Sequence, residues 1–309
     1  MRAEEDIMED ERLRTRAREA WTILQEITTA FFSDQPFQLA AALGYYTLLS
    51  MAPLLLLLIG AAGLIFSEEA ARGQLVHYIN QVMGKAQAEA VEAMLAHAGN
   101  RNTGIVSTIV GTGILIFGAT TVFGQLQTAL NQIWNVEVVP RYGVIWNLIR
   151  TRLFSLGIVM GMAFILLVSM LLSALLAGFH HYVEGMFPGG ATLLRALYAI
   201  ASFGIVAAVI ALLFKYVPDV AIQWRDVWVG ALITSALFTV GKYLIGIYLA
   251  HSRFSSSYGA AGSVILVVAW VYYTSLIVFL GAEVTQVYAR RFGTGIRPSP
   301  HARFVGKTG

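Results

Sequence analysis

Two ionisable side chains sit inside long apolar runs, and they carry most of the chemistry in this sequence. Glu283 lies in the run Val264–Tyr288, and Lys242 lies in the run Val227–Ala250. A charge in hydrocarbon costs at least about 2.5 kcal/mol, so each needs a partner, a water-filled cavity or a route to the surface. At 1.5 Å per residue, Glu283 falls about 10 Å inside the end marked by Arg290-Arg291. Lys242 falls about 24 Å from that same end. A depth difference of about 14 Å is too large for a direct ion pair between straight helices. Glu283 shares its depth with Gln125, Gln127 and Asn131, with Tyr45 and Tyr46 nearby and Arg152 just below. That set suits a proton or cation site on a substrate path. With Lys242 and with Arg253 in the joint between the two runs, the candidate path residues are Glu283, Gln125, Asn131, Tyr45, Arg152, Lys242 and Arg253. The plain alternative is a satisfied structural network around Glu283 and a Lys242 that snorkels to the outer boundary. The residue pattern favours function at Glu283 and snorkelling at Lys242.

The elements that carry these residues read as membrane helices. The chain has 309 residues, 57% hydrophobic and 13% charged. Soluble domains carry roughly 25% charged residues, so this chain lacks the polar surface to face water all round. It has no cysteine, which excludes disulfides and thiolate chemistry. Its start is acidic and polar, which argues against a cleaved signal peptide and leaves the first span to direct insertion. The expected fold is all-α: a polytopic membrane protein with six transmembrane helices, at about 39–66, 105–130, 153–179, 193–216, 227–250 and 260–288. Each is long enough for the ~20 residues that cross hydrocarbon. A cytoplasmic-side amphipathic helix fills residues 1–37, with Leu13, Ala17, Trp21, Leu24, Ile27 and Phe31 on one face. It either lies along the membrane surface or docks on the bundle. Ser33-Asp34-Gln35-Pro36 ends it. An external helical hairpin, 67–103, opens at Ser67-Glu68-Glu69, a helix-start signal. Residues 292–309 form a basic cytoplasmic tail.

Inside the spans, Pro53 kinks the first helix, and Gly157–Gly161 is a GxxxG that lets backbones approach. Lys and Arg set the orientation. Five fall in 1–37, three in the 2–3 connection, two in the 4–5 connection and five from Arg290 onward. The opposite side has three in the hairpin and one each at Arg195 and Arg253. The positive-inside bias puts both termini in the cytoplasm.

Missing motifs exclude other classes. There is no GxxxxGK[ST], HExxH or dinucleotide-binding glycine pattern. His77, His97, His180, His181, His251 and His301 show no metal-ligand spacing. No catalytic residue, metal or cofactor is expected, and the chain does not read as an enzyme. The expected partners are membrane lipids, with anionic headgroups at the basic tail. No nucleic-acid partner is expected, since the tail is short and lacks interleaved aromatics. A homo-oligomer stays open.

Four stretches carry a family resemblance: Leu39–Pro53 (LAAALGYYTLLSMAP), Phe123–Trp134 (FGQLQTALNQIW), Ser252–Ser263 (SRFSSSYGAAGS) and Leu280–Thr285 (LGAEVT). In this order they resemble the YihY/BrkB family of bacterial inner-membrane proteins, over about residues 20–292. The resemblance implies a six-helix inner-membrane protein, with members linked to serum resistance and to export of lipid or lipopolysaccharide precursors. The family has also carried the label ribonuclease BN. Clustered carboxylates or histidines outside the membrane, which metal-dependent RNA hydrolysis needs, are absent from the sequence pattern. The expectation is therefore a transporter or flippase-like protein for a lipid-like or amphipathic envelope substrate. The rivals are a non-transporting membrane scaffold for envelope machinery and an ion or solute channel.

Overall fold

The computed structural model describes residues 2–63, 67–83, 120–139, 190–251, 260–293 and 295–305, with a few helical positions between 85 and 92. Several expectations lie outside the described residues: the start of the second span, the third span with Gly157–Gly161, His180-His181, Arg152, and Arg253 in the 252–259 joint.

The described chain is mostly helical. Helix α1 (Arg2–Ser33) is followed closely by α2 (Pro36–Gly63). The break is local chemistry. Gln35 takes a positive φ of 54°, and Pro36 supplies the first turn of α2, where its missing N–H costs nothing. Helix α3 (Glu68–Met83) starts at Ser67, whose Oγ accepts from Ala70 N at 3.3 Å. Helix α4 is described over residues 120–133. It ends at Asn135, which takes φ 54° and turns the chain into strand β1 (Val136–Val138). Asparagine tolerates that left-handed conformation. Helix α5 (Gly190–Tyr216), strand β2 (Val220–Ala221), helix α6 (Trp224–His251) and helix α7 (Ala260–Arg291) follow. Strands β3 (Arg297–Pro298) and β4 (Ala302–Phe304) close the chain.

Among the described residues, three stretches are long and apolar enough to cross a membrane: Ala199–Tyr216, Trp224–Ile245 and Val264–Arg291. Helix α7 is the central element, packed against α2 and α6 and flanked by α1, while α5 packs on α6. The core gathers Leu43 of α2, Leu130 and Ile133 of α4, Phe214 of α5, Ala231 of α6, and Phe279 and Ala282 of α7.

The helical expectation holds for most of the described residues, and two short strand pairs add to it. Strand β1 pairs antiparallel with β4, and β2 with β3. Strands β3 and β4 lie in the expected basic tail, 292–309, and fold back on the chain. They take up backbone hydrogen bonds that the connections after α4 and α5 would otherwise offer to water.

Candidate functional site

Glu283 is completely buried (0% exposed), among Phe279, Ala282, Val287, Thr285 and Gln286, all within 2% of full burial. Two faces of α7 explain how a carboxylate comes to lie there. The first face is a seam with α6. A Cβ added at Gly230 would stand 1.6 Å from Thr285 Oγ1, and one added at Gly281 would stand 1.8 Å from Thr234 Oγ1. The arrangement is reciprocal: each helix offers a glycine to the other's threonine. Thr234 donates to Gly230 O and Thr285 to Gly281 O, both at 2.7 Å, so neither hydroxyl needs water. Small residues let the two backbones meet without a hydrophobic drive, as membrane helix pairs require.

Glu283 is two residues from both Gly281 and Thr285. At 3.6 residues per turn that is about 200° around the axis, so it occupies the face opposite the seam. Gln286 lies nearly one turn further on, and its Nε2 donates to Ile133 O, at the end of α4, at 2.7 Å. Arg290 in turn donates to Gln286 Oε1 at 3.0 Å. Gln286 is about 60° around the axis from Glu283, so α4 packs on the side of α7 next to Glu283.

The other sequence candidates are distributed differently. Asn131 is committed to Asp219 on both ends of its amide: Nδ2 donates to Asp219 Oδ2 at 2.8 Å, and Oδ1 accepts from Asp219 N at 2.8 Å. Gln125 is half-buried. Tyr45 is 59% exposed and meets the Tyr46 ring edge-on at 5.7 Å. Lys242 is half-buried, with Nζ 5.2 Å from the centre of the Tyr243 ring, a cation–π contact. Arg152 and Arg253 lie outside the described residues.

The residue that sequence reasoning missed is Asp219. It lies in the short connection between α5 and β2, yet it is only 8% exposed. Its Oδ2 also accepts from Gln127 Nε2 at 3.0 Å, its Oδ1 accepts from His301 Nε2 at 2.8 Å, and its carbonyl accepts from Ser299 N at 3.0 Å. One side chain thus joins α4, the α5–α6 connection and the C-terminal strands. A second buried carboxylate, Asp226, lies in the first turn of α6, at the positive end of the helix dipole. Its Oδ2 packs against Gly293, where an added Cβ would come within 2.3 Å. Among the described residues no group of His, Asp and Glu is arranged to hold a metal ion.

These features meet known proteins at the level of family. A family model described as Virulence factor BrkB matches residues 27–305. A UPF0761 membrane protein of Delftia acidovorans is 29% identical over 178 residues, 57% of this chain and 40% of its own length. One from Pseudomonas paraeruginosa is 28% identical over 257 residues, covering 82% of this chain and 59% of that protein. One from Aeromonas salmonicida is 27% identical over 273 residues, covering 84% and 87%. The chain thus spans about half the length of the first two relatives (40% and 59%) and most of the third. No solved structure matches. With apolar helices of membrane-crossing length and a family match over nearly all of its residues, this integral membrane protein belongs to the Virulence factor BrkB family.

Proposed function

We propose that the chain is a six-span protein of the bacterial inner membrane, with both termini cytoplasmic, that moves a lipid-like or amphipathic envelope substrate. Glu283 is its proton- or cation-binding group. The observation that carries this reading is the complete burial of Glu283 on the central helix, next to its α4 contact. Evolution of a bundle has cheaper ways to fill that volume, since an apolar side chain would avoid the desolvation of a carboxylate. The α6–α7 seam is closed by its glycines, so the path runs on the other flank of α7, between α2 and α4. The exposed apolar side chains of α6, among them Leu232, Val240 and Ile247, form a lipid-facing wall. The reading involves no catalytic step and no cofactor. Its partners are membrane lipids.

The same closed seam supports the rival reading, a scaffold with a solid core. Reconstitution separates the two. In proteoliposomes holding a fluorescent headgroup-labelled phospholipid, the transporter reading expects the label to exchange between leaflets faster than in protein-free vesicles. It also expects the rate to change when an ion gradient is imposed. Equal rates with and without protein, across neutral and anionic lipids, would leave the scaffold.

A further inference from the structure

We propose that residues 295–305 are a latch that holds α4 against α7 beside Glu283, and that release at Asp219 opens cytoplasmic access to Glu283. The mechanical part stands on geometry alone. Its consequence, controlled access to a functional carboxylate, rests on the function proposed above.

The chain of contacts is continuous. Strand β4 pairs with β1, which follows directly from α4, and β3 pairs with β2. Backbone bonds extend the first ladder at both ends: Val139 N to His301 O and Val305 N to Asn135 O, each at 2.9 Å. His301 reaches Asp219, and Asp219 holds Asn131 and Gln127 of α4. The end of α4 then bonds to α7 through Gln286, one turn from Glu283. Ala129, Leu130 and Ile133 of α4 share one core with Phe279 and Ala282, the residues flanking Glu283. Whatever fixes α4 therefore fixes part of the packing beside Glu283.

The closure is of a kind that can come apart. Paired strands of two and three residues do not hold by themselves in water. Arg303 pairs with Glu137 where both are well exposed, a contact that adds little. Ile296 packs on the core and Gly295 N bonds to Ala289 O at 3.3 Å, and the polar node at Asp219 is the fastening that reaches α4. It lies at the helix ends, where water can take over each hydrogen bond when it breaks. The α6–α7 seam offers no such exchange.

The natural absence of cysteine allows a direct test on the full chain in lipid nanodiscs. A single reporter, Ala282→Cys, sits fully buried beside Glu283. Its rate of reaction with a soluble maleimide reads how often that face is uncovered. Adding Asp219→Asn removes the charge that binds His301 and is expected to raise the rate about tenfold or more, the population change for losing one charge-assisted hydrogen bond. If that variant does not fold, His301→Ala takes its place, since it leaves Asp219 with both α4 amides. The opposite perturbation is a disulfide between Val138→Cys and Ala302→Cys. These residues face each other in the register. The ladder bonds at 139/301 and 135/305 make 138/302 a non-hydrogen-bonded pair, with Cα atoms about 4.5 Å apart, inside the range a disulfide spans. The oxidised clamp is expected to slow labelling below that of the reporter alone, even with Asp219→Asn present, and reductant is expected to reverse it. A folded release variant that labels within twofold of the reporter alone, or a clamp without effect, would overturn the latch. Measuring lipid transfer on the same variants separates the two claims. Labelling that responds while transfer does not would uphold the latch and count against the transport reading.

Discussion

The α6–α7 seam and the Asp219 node join helices in opposite ways. The seam uses glycine and threonine, leaves no gap, and satisfies each hydroxyl within its own helix. Its strength is close packing, which neither water nor lipid can imitate. The node uses one carboxylate to collect donors from residues 82, 88 and 92 positions away in the chain. Its strength is polar, and each bond has a ready substitute in water at the helix ends. The comparison teaches that the bundle has a permanent joint on one flank of α7 and a releasable one on the other. Glu283 lies next to the releasable side.

Breaking the seam should give the largest effect. Gly281→Leu drives a side chain into Thr234, whose branched Cβ has little freedom to move. The expected cost is about 3 kcal/mol, read as a large drop in the detergent melting temperature. Melting at the wild-type temperature would show that α6 and α7 are not held by this contact. Gly293→Ala should cost less, about 1–2 kcal/mol, because the new methyl meets the Asp226 carboxylate, which can rotate, as well as the Ala289 carbonyl, which cannot. Pairing it with Asp226→Ala sharpens the assignment, since relief of the carboxylate clash should appear as non-additivity in a double-mutant cycle. The smallest effect belongs to Glu26, which binds Arg291 between α1 and α7 at the half-exposed rim. Glu26→Gln should change stability by less than about 1 kcal/mol and fade further in salt. A larger loss would mean that α1 is part of the bundle's core fastening.

What was legible in the sequence follows the same division. Helix α7 was readable because hydropathy is a local signal. So was the α1–α2 break, since Pro36 has one comfortable place at a helix start. Ser67 announced α3 for the same reason. Counting residues also sets an expected depth for Glu283, at 1.5 Å per step. Depth is only one coordinate, however. It put Tyr45 and Asn131 level with Glu283 but could not say which way each faces around its own helix. Tyr45 is largely exposed, and Asn131 belongs to Asp219. Asp219 itself was hidden because an acid in a short connection ordinarily reads as solvated, and its histidine partner arrives only at the chain's end. Strands of two or three residues carry too few positions for a period of two to show, so the folded-back tail left no pattern to find.

The account turns on Glu283 having a role beyond filling space, and one paired measurement addresses it. Glu283→Gln keeps the volume and part of the hydrogen-bonding capacity while removing the charge. Melting temperature and lipid transfer should be measured on the same reconstituted preparation, at matched abundance. The account predicts a melting temperature close to that of the wild type, because the amide keeps the packing, together with loss of nearly all ion-dependent transfer. Full transfer by a folded Glu283→Gln protein would contradict it.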